Sequence, residues 1–207
     1  MAKRSKSSSR WLQEHERDPY VLKARKEGWR SRAVYKLEEL DKRNSLFRKG
    51  MTVIDLGAAP GGWSQFAAYR LDGTGKIIAL DILPMDALAD VVVLQADFRE
   101  PEGLASLEEA LAGKKADLVM SDMAPNITGI AGVDQPRGMY LAELALDLCT
   151  EALAAGGSFV TKLFQGEGFD DFVKLARDRF GKVSVKKPAA SRPRSREVYL
   201  VARNYQV

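Results

Sequence analysis

A single cysteine, Cys149, and a single histidine, His15, stand in 207 residues. That scarcity rules out an internal disulfide framework and leaves no Cys/His spacing for a structural zinc site. Cys149 itself falls in an apolar helical pattern, where a thiol packs as a small hydrophobe. Long hydrophobic runs are missing too, since none approaches the ~18 residues of a membrane span. The N-terminus is basic with no apolar stretch behind it, so it does not read as a secretory signal. From these absences we expect a cytoplasmic protein with no membrane partner.

What is present suits one globular domain. Hydrophobic residues make up 45% of the chain and charged residues 29%, the balance of a protein with a full core. The length accommodates one α/β domain but not two. A net charge of +4 conceals a sharper division. Residues 1–50 carry 15 Lys+Arg against 7 Asp+Glu, residues 51–180 carry 10 against 20, and residues 181–207 carry 7 against 1. An acidic body between two basic ends suggests a polyanion gripped by the ends. Residues 1–18 read as a basic disordered arm, Ser-rich over its first ten positions. Residues 19–207 read as one domain, with N-terminal helices up to residue 50 and the core from residue 51.

Asp18 and Pro19 start a helix that runs to Gly28, proline being tolerated at the first helical position. Ser31 is expected to cap a second helix over residues 32–43, in which Ala33, Leu37 and Leu40 share one face. From residue 51 the pattern alternates, with strands at 52–57, 76–82, 91–97, 116–122 and 157–164. Helices are expected at 63–71, 101–112, 136–154 and 168–180. Such alternation implies a parallel sheet covered on both faces. The tail differs: residues 183–187 and 197–202 are strand-like with no helix between them, which predicts a hairpin with an antiparallel strand at the sheet edge.

Residues 52–63, TVIDLGAAPGGW, organise the rest. A short apolar strand breaks at Gly57, and Gly61 and Gly62 close a tight loop before a helix. Glycines allow a backbone to approach a ligand closely, and the carboxyl end of a parallel strand is where open α/β sheets bind one. The G-x-G-x-x-G spacing of dinucleotide sites is absent. The second strand ends on Asp81, placed to take two ribose hydroxyls. The third ends on Asp97 beside Phe98, an acid and a ring suited to adenine. Together these describe a site for S-adenosylmethionine, with Gly57, Gly61 and Trp63 at its methionine end.

DLGAAPGGWSQ, LDILPMD, SDMAPNITG, KLFQGEG and SRPRSREVYLVA occur in that order, and with SSRWLQEH near the N-terminus they span nearly the whole chain. In these motifs the chain resembles the FtsJ/RrmJ (RlmE) family of ribosomal RNA 2′-O-ribose methyltransferases. The resemblance implies the Rossmann-like fold of class I S-adenosylmethionine-dependent methyltransferases, with a seven-stranded, mostly parallel sheet and helices on both faces. It implies a monomer that methylates a ribose of large-subunit ribosomal RNA on the large ribosomal subunit, at a uridine of the peptidyl-transferase A loop. It also implies a Lys-Asp-Lys-Glu set, matched here by Lys36, Asp122, Lys162 and Glu197, with Asp122 also at the cofactor. Arg30, Arg32, Arg192, Arg194 and Arg196 are expected to contact the RNA.

The chemistry asks for a nucleophilic oxygen aligned with a methyl group, and for removal of one proton; it demands no metal. Lys162 is the least ordinary of the four, because a lysine inside an apolar strand is rarely buried without a partner. Two roles for it stay open, proton acceptor and charged guide for the hydroxyl. Competing functions stay open as well. They are a nucleotide-dependent oxidoreductase, a base-nitrogen methyltransferase, a relative acting on transfer RNA, and a non-catalytic ribosome-assembly factor.

Overall fold

Period-two burial along the strands divides the core into two halves. In the computed structural model, which describes residues 16–125 and 128–206, Ile54, Ile78, Val119, Phe159 and Leu200 lie on one side of the sheet. Val53, Ile77, Leu118, Val160 and Val201 lie on the other. Adjacent strand residues point to opposite faces, so one run such as Val53-Ile54 feeds both halves, as a sheet covered on both sides requires. Most of the expected basic arm, residues 1–15, lies outside the described residues.

The elements are α1 (Pro19–Glu27), α2 (Val34–Asn44), β1 (Thr52–Leu56), α3 (Gly62–Leu71), β2 (Lys76–Asp81) and β3 (Val91–Gln95). They continue with α4 (Pro101–Leu111), β4 (Ala116–Ser121), α5 (Ala131–Ala152), β5 (Leu153–Phe164), α6 (Phe169–Arg179), β6 (Phe180–Lys186) and β7 (Glu197–Tyr205). The sheet has seven strands in the order β3-β2-β1-β4-β5-β7-β6. β7 runs antiparallel to both neighbours, and the remaining pairs are parallel. This is the seven-stranded, mostly parallel α/β architecture expected from the sequence. Helices α1, α2 and α3 cover the side of Val53 and Val160, while α4, α5 and α6 cover the other.

Three local expectations change. Asp18 caps α1, its side chain accepting from the Tyr20 amide, but Ser31 does not cap α2. That helix begins at Val34 with Ala33 at the N-cap and no side-chain cap, and the segment before it is held to α3, Gln65 bonding the Arg30 amide and the Gly28 carbonyl. Helix α5 begins at Ala131, five residues before Pro136; Asp134 gathers the Thr128 and Gly129 amides just ahead of it. Finally, the antiparallel strand is not the edge. β7 carries the buried run Val198–Ala202 and needs cover on both faces, whereas β6 is half exposed, carries lysines, and takes the edge.

Candidate active site

The sheet topology brings four distant segments to one end of β4, β5 and β7, on the side covered by α1–α3. Lys162 and Tyr199 are register partners across β5 and β7. Glu197 lies two residues from Tyr199 and therefore shares its face. Asp122 follows directly on β4, and Lys36 comes down from the first turn of α2. The result is one continuous chain of contacts. Lys162 Nζ donates to the Asp122 backbone oxygen at 2.5 Å and lies 3.1 Å from its Oδ1. The Tyr199 hydroxyl donates to the same Oδ1 at 2.7 Å and accepts from Lys36 Nζ at 3.0 Å. Lys36 Nζ is 2.7 Å from Glu197 Oε1, which also accepts from Ser191 Oγ at 2.8 Å.

Electrostatics fixes the charge state of the centre. Burial is the largest influence on Asp122 and pushes its carboxyl up. The cations Lys162 and Lys36, with hydrogen bonds from Tyr199 and Lys162, outweigh it and hold Asp122 below the usual carboxylate range. Tyr199 is driven well above an ordinary phenol, first by burial and then by the negative charges of Asp122 and Glu197. It is therefore a neutral hydroxyl, able to link Lys36 to Asp122 by accepting from one and donating to the other. Tyr199 had no place in the sequence reading; its signal was the period-two spacing from Glu197.

Asp122 also lines a cavity of about 460 Å³ at the carboxyl ends of β1, β2 and β4, together with Gly57, Asp81 and Asp97. The turn at Gly57 has φ +71°, and a Cβ there would stand 2.4 Å from Met123 Cγ, so only glycine fits beneath that side chain. Asp81 is set by two backbone amides, accepting from Ala59 N at 2.9 Å and Leu83 N at 2.8 Å, one on each oxygen. Asp97 is gripped by Arg99, which lines the same cavity. Behind Gly57 the buried Asp55 accepts from Ser64 Oγ at 2.6 Å.

The other expected site residues lie outside the lining of this cavity. Trp63 is 3% exposed, its indole N–H donates to the Ala33 carbonyl, and its ring packs against Tyr199. Its side chain thus closes the core under α2 and is not among the cavity lining. Gly61, at φ +104°, is not in the lining either; a Cβ there would press on Arg30 and Met85. Arg30 fastens the carbonyls of Pro60, Asp86 and Ala87, joining the segment before α2 to two loops. Arg32 is taken up inside the protein by Asp18 and the Ala190 carbonyl, which leaves little of it for an outside ligand. Arg192 lies 3.7 Å from Asp18, whereas Arg194 and Arg196 are exposed. A second cavity, about 740 Å³, opens between the start of α1 and residues 189–194, with Arg17, Arg32, Arg192 and Arg194 in its walls. It touches the first site through Ser191.

Comparison with known proteins relates the chain to methyltransferases. The family model described as FtsJ-like methyltransferase matches residues 29–205. Ribosomal RNA large subunit methyltransferase E of Hydrogenovibrio crunogenus (strain DSM 25203 / XCL-2) is 56% identical over 200 residues, which cover 97% of each chain. A crystal structure of a putative ribosomal RNA methyltransferase from Plasmodium falciparum matches with a TM-score of 0.77 at 29% identity, over 86% of this chain and 98% of that one. A chain of a fibrillarin/NOP5P complex shares the fold, with a TM-score of 0.59 at 17% identity over 83% of each chain.

Proposed function

The chain belongs to the FtsJ-like methyltransferase family, and from that premise we propose that it methylates a ribose 2′-hydroxyl of large-subunit ribosomal RNA with S-adenosylmethionine. We assign the acceptor to a uridine of the peptidyl-transferase A loop, modified in the cytoplasm by a monomer working on the large ribosomal subunit. The observation that carries this reading is the hydrogen-bonded chain Lys162–Asp122–Tyr199–Lys36–Glu197, one member of which lines the cavity.

The cavity residues fit the cofactor. A volume of about 460 Å³ lies in the range of small-molecule sites. An ionised carboxylate has about four lone-pair sites. The two amides on Asp81 leave one on each oxygen, which suits a pair of neighbouring ribose hydroxyls. Phe98 and Leu141 supply apolar flanks for a base. Gly57 and Ala59 line the cavity where the chain leaves β1, and the backbone there suits the methionine end of the cofactor. When bound, S-adenosylmethionine supplies a methyl group on a cationic sulfur, so the leaving thioether departs neutral.

The protein's own part is positioning and removal of one proton. Lys162 Nζ, fixed by both the side chain and the backbone oxygen of Asp122, takes the proton of the ribose hydroxyl after releasing its own to solvent. Asp122 orients that amine and, from its place in the cavity lining, would offer its negative charge to the cationic sulfur. Lys36 directs the hydroxyl, and Glu197 and Tyr199 hold Lys36 in place. Alignment of oxygen and methyl group contributes up to ~7–11 kcal/mol, and base assistance a further ~10²–10⁴-fold. The basic cavity beside Ser191, with Arg192 and Arg194 in its walls, suits the phosphates of the acceptor strand, which supply most of the affinity in such complexes.

The test is to incubate the protein with methyl-labelled S-adenosylmethionine and large subunits lacking the modification, then map the label. One ribose-methylated uridine in the A loop is expected. Label on a base nitrogen, or on transfer RNA in preference to the subunit, would refute the assignment.

A further inference from the structure

Asp97 and Arg99 both line the 460 Å³ cavity, and their geometry is closely constrained. Arg99 donates its backbone amide to Asp97 Oδ1 at 3.0 Å and its NH2 group to Oδ2 at 2.5 Å. Its single Nε hydrogen is shared between the two oxygens, at 2.8 Å from Oδ1 and 3.0 Å from Oδ2. Three N–H groups therefore occupy a carboxylate with about four lone-pair sites. Oδ1 is filled by the amide and the shorter Nε contact, and the remaining site is on Oδ2. The hydrogen bonds from Arg99 also hold Asp97 below the usual carboxylate range, so it stays ionised and can only accept. The guanidinium fork fixes the carboxylate plane as a single charge could not.

We propose that Arg99 is a specificity-determining residue of the cofactor site, holding Asp97 so that one oxygen offers a single acceptor position that reads the amino group of adenine. The inference rests on the proposed use of the cavity for the adenosine of S-adenosylmethionine. A base with a carbonyl in place of that amino group sets oxygen against a fixed, ionised oxygen and is rejected. Without the fork, Asp97 can turn about its side-chain bonds, and the distinction weakens. Arg99 acts through Asp97 and is a positioning residue, not a catalytic one.

The test measures binding of S-adenosylhomocysteine and of its inosine analogue by calorimetry, with the wild-type protein, R99A and R99K. Wild type should prefer the adenosine ligand by about tenfold or more, the weight of one hydrogen bond to a charged acceptor. In R99A the preference should fall to about threefold or less, and R99K, with the charge but no fork, should recover only part of it. A ratio unchanged in R99A, or equal weakening of both ligands, overturns the inference while leaving the cofactor reading intact. Full recovery in R99K overturns the geometric argument. A wild-type protein that binds neither ligand overturns the cofactor reading itself, and this inference with it.

Discussion

Replacing Asp55 with asparagine should change how stability depends on pH, by an amount the structure allows us to work out. Asp55 is 1% exposed at the end of β1. Burial is the main influence and raises its pKa; the hydrogen bond from Ser64 pulls it back, and the charges of Asp122 and Asp81 raise it further, to about 7 from 3.8. Between those two values the native protein holds a proton that the unfolded chain has released. Stability therefore falls as pH rises from about 4 to about 7, and is fully retained only below the unfolded value. At about 1.4 kcal/mol per unit, the full span is worth about 4 kcal/mol, and most of that, about 3 kcal/mol, falls between pH 5 and pH 8. Asparagine has the shape of the protonated acid and still accepts from Ser64 Oγ, but carries no titration. Urea unfolding of wild type and D55N at intervals from pH 5 to pH 8 isolates the effect, because other titrating groups cancel in the difference. D55N should gain about 2–3 kcal/mol on wild type across that range. Parallel curves would show that Asp55 is already ionised in the native state and that the burial argument is wrong.

Lys162→Ala should slow single-turnover methyl transfer by at least ~10² with both substrates saturating, and a near wild-type rate would remove Lys162 from the mechanism. Lys162→Arg separates its roles: a proton acceptor is lost with arginine, along with the rise of the chemical step with pH, whereas a guiding cation keeps substantial activity. Asp81→Ala removes acceptors for charge-assisted hydrogen bonds worth about 1.5–3 kcal/mol each. Affinity for S-adenosylmethionine should fall about tenfold or more by calorimetry, and unchanged binding would reject the ribose assignment. Arg194→Ala, on the wall of the larger cavity, should flatten the salt dependence of RNA binding by about one unit of slope and leave cofactor affinity alone. An identical slope would confine Arg194 to a role within the protein.

The residues most legible in advance were those whose local pattern and spatial role agree. Val53, Ile54 and Leu56 read as a buried strand and are one, and the break at Gly57 is a turn that only glycine accommodates. Lys36, Asp122, Lys162 and Glu197 were each visible by resemblance, and the sheet order brings them within a few hydrogen bonds of one another. The internal contacts of Trp63 and Arg32 were less legible, because tertiary packing decides between two uses of one side chain. Trp63 and Arg32 suit a ligand as well as they suit the interior, and nothing local says that Ala33 and Asp18 will claim them. Tyr199 stands within a strand-like run with no mark of its own, and its place in the site follows from its register with Lys162. The order of β6 and β7 was in the sequence after all. Val198–Ala202 is apolar throughout and must be inside, while Lys182 and Lys186 on β6 befit an edge.

That insertion of β7 between β5 and β6 bears on how the molecule is put together during synthesis. β5 is twelve residues long, and β7 covers its side away from β4. β6 leaves the ribosome before β7, and in the finished fold it pairs with β7 and not with β5. A growing chain that has not yet reached residue 197 lacks the native partner for the long edge of β5, a row of amides and carbonyls. Such an edge is a template for pairing with another chain. The same unfinished chain lacks Glu197 and Tyr199, so the lysines have neither their carboxylate nor their shared hydroxyl. Chemical competence and protection from aggregation thus arrive together, with the same few residues.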